Sequence, residues 1–165
     1  MNRDCVVVAD GSRARFFTLR AAEHPELESS PNLIEINDLI QPEKEQHHEE
    51  LWAESRPSRS RGRHGGPAHG FDDHRDQHLE EQDRRFARSV AEEAARLARS
   101  YHTRNVILVA HKRMLGMLRA CMEPLVKAGV EVRELAKDLS KLDPLELHEH
   151  LAREQLIPRR RMPAG

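Results

Sequence analysis

Aromatic side chains are scarce in this chain of 165 residues, with one Trp, one Tyr and four Phe. Charge of either sign is not in excess: 27 basic and 28 acidic residues leave a net charge of -1. That balance excludes a protein that binds nucleic acid over its whole surface. Cysteine is limited to Cys5 and Cys121, both in apolar contexts and without metal-ligand or redox spacing, so both are expected to be reduced and buried. No long hydrophobic run exists. The run from Cys5 to Ala9 ends at once in Asp10-Gly11, too short for the apolar region of a signal peptide and far too short to span a membrane. The expectation is a cytoplasmic protein with no membrane span. Gly11-Ser12 and Gly65-Gly66 lack the lysine and the following Ser/Thr of a nucleotide phosphate loop. Ser12 and Ser55 have no identifiable base or acid partner, which leaves nucleophilic catalysis without support.

What the chain does have is segregated charge. Glu43 to Glu54 is acidic, and Asp72 to Asp83 is acidic again. Between them lies SRPSRSRGRHGGPAHG, Ser55 to Gly70, with four arginines (Arg56, Arg59, Arg61, Arg63), four glycines, two prolines and no acidic residue. Almost nothing in it can be buried. Loops of this length inside a compact domain are usually functional or disordered. Positive charge together with the backbone freedom of Gly65-Gly66 suits contact with a phosphate backbone. Composition alone leaves open a second reading, two solvated acidic faces flanking an insertion.

The length suits one domain, taken as residues 1–157 with a flexible basic loop at about 54–76 and a frayed basic tail at 158–165. Cys5 to Ala9 is a strand buried on both faces. Asp10-Gly11 turns it into a second strand, Arg13 to Leu19, as a hairpin. Asn32 to Ile40 is a third strand. Leu79, Phe86, Val90, Ala94, Leu97 and Tyr101 mark one face of a helix over about Gln77 to Tyr101. Asp72, Asp73 and Asp76 lie where acidic side chains favour a helix N-terminus. Asn105 to Ala110 is a buried strand. His111 to Met122 is a helix through Met114, Leu115, Leu118 and Met122, ended or kinked near Pro124. Gly129 to Leu135 is a fifth strand. Asp143-Pro144 starts a last helix that runs to about Ala152. This order predicts an α/β fold with a mixed, roughly five-stranded sheet and helices packed on it.

Histidines 64, 69, 74 and 78 lie close to Asp72, Asp73 and Asp76, a set from which a transition metal could draw ligands. The spacing matches no zinc pattern, so solvated side chains are expected, no cofactor is implied, and His74 and His78 are the pair to test.

Three stretches together resemble the bacterial host-attachment protein family, which is similar to the middle domain of archaeal and eukaryotic peptide-release factors and to Pelota. They are VVVADGSRARFFTL (Val6 to Leu19), RGRHGG (Arg61 to Gly66) before RRFARSVAEEAARLA (Arg84 to Ala98), and VILVAHKRMLGMLR (Val106 to Arg119). The resemblance implies a ribonuclease H-like sheet topology. It also aligns Gly65 and Gly66 with the glycines of the release-factor Gly-Gly-Gln loop, which promotes hydrolysis of peptidyl-tRNA on the ribosome. Pro67 stands where the glutamine belongs. Proline offers neither an N–H nor a side-chain amide, and a donor at a developing oxyanion is worth about 3–4 kcal/mol. Release-type hydrolysis is therefore not expected. The resemblance implies a non-catalytic module whose residues Arg56, Arg59, Arg61, Arg63, Gly65 and Gly66 contact ribosomal RNA or tRNA, with any effect on attachment arising indirectly. Two alternatives stand beside it. One is an interaction module for attachment or envelope functions, whose basic loop meets an acidic partner protein or the acidic flanks of a second copy. The other is a metal-dependent hydrolase or nuclease using Asp10, although Asp-Gly by itself calls only for a turn aspartate.

Overall fold

A computed structural model describes residues 4–42 and 68–163, and of 68–75 the backbone alone. The strands are β1 (Asp4–Ala9), β2 (Arg13–Arg20), β3 (Asn32–Ile40), β4 (Asn105–Ala110) and β5 (Glu131–Ala136). The helices are α1 (Ala68–Ser100), α2 (Lys112–Cys121), α3 (Glu123–Lys127) and α4 (Pro144–Arg153). One sheet of order β3-β2-β1-β4-β5 organises them. β1, β2 and β3 run antiparallel in succession, whereas β4 and β5 continue parallel to β1. The expected α/β fold with a mixed five-stranded sheet is present.

β1 is buried along its whole length because it occupies the middle of the sheet with helices on both faces. Period-two alternation then divides its side chains. Cys5, Val7 and Ala9 pack with Phe16, Leu108 and the inner faces of α1 and α2. Val6 and Val8 pack on the opposite side with Phe17, Val109, Leu147 and Leu151, under α4. Each fully buried aliphatic or aromatic side chain contributes about 1.5–3 kcal/mol. The β1–β2 turn is closed by Asp10, whose Oδ1 accepts the N–H groups of Ser12 at 2.7 Å and Arg13 at 2.8 Å. Asp143 caps α4 by accepting the N–H of Glu146 at 2.8 Å, and that bond holds its carboxyl below the usual range.

Several boundaries differ from expectation. α1 begins at Ala68, nine residues before Gln77, so Asp72 and Asp73 lie inside the helix and its first turn holds no acid. Burial among residues 76–100 begins only at Asp83. Once nucleated on its packed half, a helix extends by one backbone bond per residue without apolar contact, so periodicity could not mark its start. Tyr101 is not on the buried face; it lies past the helix end, 44% exposed. α2 ends at Cys121, near Pro124 as expected, and Pro124 stands at the start of a separate short helix, α3. The fifth strand starts at Glu131 because Gly129 takes φ +94 in the preceding turn. Cys121 is only partly buried, unlike Cys5.

The frayed tail expected at 158–165 is tied down as far as Arg161. Ser30 and Arg161 exchange backbone hydrogen bonds at 3.2 and 2.8 Å, and His148 Nε2 bonds the Pro158 carbonyl at 2.8 Å. The first of these contacts pairs two distant segments and the second uses a buried histidine, so neither leaves a local pattern in the sequence.

Candidate nucleic-acid interface

Winding reverses between β1 and β4: the chain proceeds outward from β1 through β2 and β3, then restarts at β4 on the other side. Open α/β sheets bind ligands outside the carboxyl ends of their strands at such a point. Here those ends carry the Asp10–Ser12 turn and, after β4, the exposed residues His111, Lys112 and Arg113. β3 ends at the same edge. Gln41 follows it, 1% exposed, with its N–H on Ser12 O at 2.8 Å. Its side-chain amide donates to Gly11 O and, at 3.3 Å, to Asp83 Oδ1 on α1. The two sides of segment 43–67 are thereby fastened together: Gln41 just before it and Asp83 on the helix that follows it.

From this edge a groove of about 490 Å³ runs between α1 and α2. On α1, Glu80, Arg84 and Arg88 are four residues apart and form one ridge. It lies beside the buried ridge of Asp83, Ala87 and Val90. On α2 the lining comes from Arg113, Gly116, Met117 and Cys121. Gly116 leaves the floor open: a Cβ there would meet nothing within 4 Å.

Three guanidiniums thus face one groove. Arg84 pairs with Glu80 at 2.9 Å, and Arg113 lies 3.8 Å from the buried Asp83 carboxylate. Arg88 has no ion-pair partner among the described residues. Its charge reaches Cys121, whose thiol is raised by burial and by Glu92 and lowered by Arg88. Exposed arginines of this kind release their carboxylates readily and meet phosphates through a two-pronged fork.

Arg56, Arg59, Arg61, Arg63, Gly65, Gly66 and Pro67 lie outside the described residues, as does Ser55. His74 belongs to α1, with only its backbone described. His78 is exposed, and its Nε2 lies 3.1 Å from Gln82 Nε2. Among the described residues no group of three or more His, Cys, Asp or Glu could hold a metal ion. Asp10 is engaged as the turn aspartate, with one oxygen on two backbone N–H groups. The groove arginines were not singled out in the sequence. The signal available was the spacing of Arg84 and Arg88 on one side of a helix and the exposed HKR triplet at the end of a buried strand. No helix among the described residues is long and apolar enough to cross a membrane.

None of the curated proteins compared with the chain is similar to it. A family model described as "Protein required for attachment to host cells" matches residues 5–151, from the first strand to the last helix. That span includes the whole sheet, the groove and both sides of the arginine segment, and the chain therefore belongs to the family of proteins required for attachment to host cells.

Proposed function

We propose that the protein is a non-catalytic RNA-binding module, cytoplasmic and similar to the middle domain of release factors. In this reading the arginine-glycine segment and the α1–α2 groove together contact the phosphates of ribosomal RNA or tRNA. The observation that carries the reading is the placement of Arg84, Arg88 and Arg113 in one groove, the first two on the helix that follows the segment bearing Arg56, Arg59, Arg61 and Arg63 and the third on α2. Along a straight helix Ala68 lies about 18 Å from Glu80 at 1.5 Å per residue, so segment and groove can engage successive phosphates of one strand. Gly65 and Gly66 permit close backbone approach, and Pro67 supplies no donor for hydrolysis. The effect on attachment follows indirectly, through translation.

Co-sedimentation with purified ribosomes at low and moderate salt tests this, comparing wild type with a variant in which Arg56, Arg59, Arg61 and Arg63 are replaced by Gln. Salt-sensitive pelleting that the variant loses is expected. Pelleting that is absent at both salts, or equal in both proteins, overturns the proposal.

A further inference from the structure

Phosphate contacts account for the rim of the α1–α2 groove but not for its floor. Arg84 and Arg88 stand on successive turns of α1, and Arg113 stands at the start of α2. Beyond Arg113, α2 contributes Gly116, Met117, Ala120 and Cys121. Gly116 and Ala120 are exposed and one turn apart on a single ridge, while Met117 and Cys121 are partly buried against the core. No hydroxyl, amide or carboxylate side chain belongs to these four. Among the described residues that line the groove the one acid is Glu80 on α1, paired with Arg84 at 2.9 Å. The Cys121 thiol is raised above its ordinary value, chiefly by burial, and stays uncharged at neutral pH.

Space stands above this floor. A Cβ on Gly116 would meet nothing within 4 Å, and the groove holds about 490 Å³, a volume of the size that accommodates ligands. A phosphate chain resting on the arginines alone would leave the floor to water. Duplex RNA recognised through its phosphates and riboses keeps its base faces stacked inside, so it has no apolar surface to place there. An unpaired nucleotide has both parts, an anionic phosphate and a flat base face. Guanidinium planes stack on such faces, and a methionine thioether makes favourable contacts with aromatic rings. The floor spans residues 116–121, about 8 Å of helix. That is room for one flat group, and too short for the row of anchors by which a helical acidic peptide would dock.

We propose that the α1–α2 groove takes one unpaired nucleobase of a single-stranded RNA. The base would lie over Gly116 and Ala120 with Met117 beside it, and the adjoining phosphates would meet Arg84, Arg88 and Arg113. Resting on the RNA-binding reading, this assignment adds to it the element that the groove selects.

Fluorescence anisotropy with three labelled RNAs tests it: a short oligoadenylate, the same oligomer with abasic riboses, and a G·C-rich duplex of the same length. The variant G116L fills the groove and keeps all three arginines. A120L fills it one turn away, and thermal midpoints verify that each variant is folded. Wild type is expected to bind the oligoadenylate at least about fivefold more tightly than the abasic strand, the lower end of what stacking one base contributes. Both variants are expected to lose that preference while binding the abasic strand and the duplex as wild type does. If wild type binds RNA without preferring the base-bearing strand to the abasic one, or if the preference survives in the folded variants, the proposal falls while the phosphate reading stands. Absence of binding to every RNA overturns both. Polyglutamate should fail to displace the oligoadenylate; displacement as effective as that by unlabelled RNA would make the groove a site for an acidic protein and overturn the assignment.

Discussion

Replacing Arg84, Arg88 and Arg113 together by Gln examines the groove apart from the arginine segment. Arg88 has no ion-pair partner among the described residues, so its loss removes a full phosphate contact. Arg84 must first leave Glu80, and Arg113 must leave Asp83. The Arg84–Glu80 pair is exposed, of a class worth about 0–1 kcal/mol, so release offers little resistance. Each phosphate neutralised contributes about 0.7 to the slope of log affinity against log salt for single strands, and about 0.9 for duplex. Three contacts amount to a slope of about 2 to 2.7. Between about 50 and 200 mM KCl the wild type should then lose roughly 15- to 40-fold more affinity than the triple variant. Fluorescence anisotropy of labelled tRNA at three salt concentrations measures both slopes, and circular dichroism verifies that the variant is folded. If the two slopes coincide while wild type binds, the groove does not meet phosphate and the argument from its three guanidiniums is wrong.

Further outcomes follow from other parts of the molecule. Arg15, buried on β2, pairs with Glu35 at 2.7 Å, donates to the carbonyls of Ser140 and Leu142, and lies 4.9 Å over the Phe17 ring. Arg15→Met keeps the bulk but strips donors from two carbonyls, and should cost about 2–3 kcal/mol in urea unfolding. Gly116→Ala adds a methyl into open space on α2 and should raise stability by about 0.5–1 kcal/mol by the same assay. Burial and the neighbouring Asp4 push the Cys5 thiol up to about 12, so a thiol reagent at neutral pH should label Cys121 alone in the native protein and both cysteines after denaturation. His148 has a folded pKa below its ordinary value of 6.5, so the unfolded chain binds the proton more readily. Its contribution to stability is complete above that value and is lost as pH falls through the folded one. Thermal midpoints measured from pH 7.5 down to 5 should fall more steeply for wild type than for His148→Gln, and parallel curves would show that the ring is not held neutral by burial.

Strands were legible wherever burial on both faces wrote a continuous apolar run. β4 begins and ends where the sequence places it and β1 differs by one residue, while the edge strand β3, of which only Leu33 is buried, also has the bounds its spaced Leu and Ile residues predict. The caps were legible as well, because Asp10 and Asp143 act through bonds two or three residues away. What failed was anything set by distant partners or by the backbone alone. The start of α1 needs no apolar contact, so AHGFDDHRD gives no periodic signal. Arg15 reads as one more charge in a basic stretch until the loop before α4 brings two carbonyls to it. The docking of the C-terminal segment depends on His148 and Ser30, neither of which is near it in sequence. The groove is intermediate: the helical spacing of Arg84 and Arg88 was visible, but only packing of α1 against α2 brings Arg113 to them.

The same helix explains both the anchoring and the reach of the basic segment. Phe86, Val90, Ala94 and Leu97 fix the second half of α1 to the sheet, and Asp83, bound by Gln41, marks where that contact begins. N-terminal to Asp83, α1 continues for fifteen residues to Ala68, about 22 Å at 1.5 Å per residue. A helix propagated from a packed half behaves as a rod over such a length, because each added residue contributes its own backbone bond. The arginine segment is therefore joined to the fold on one side through Pro42, next to the sheet edge, and on the other through the far end of that rod. Apart from the half-buried Leu79, the residues from Asp76 to Gln82 are polar or charged, as an extension with little surface to cover it requires. Charge segregation in the sequence then has a physical meaning that composition could not give: the acidic stretch from Asp72 to Asp83 belongs to the first half of a helix, and two of its acids, Glu80 and Asp83, pair with Arg84 and Arg113.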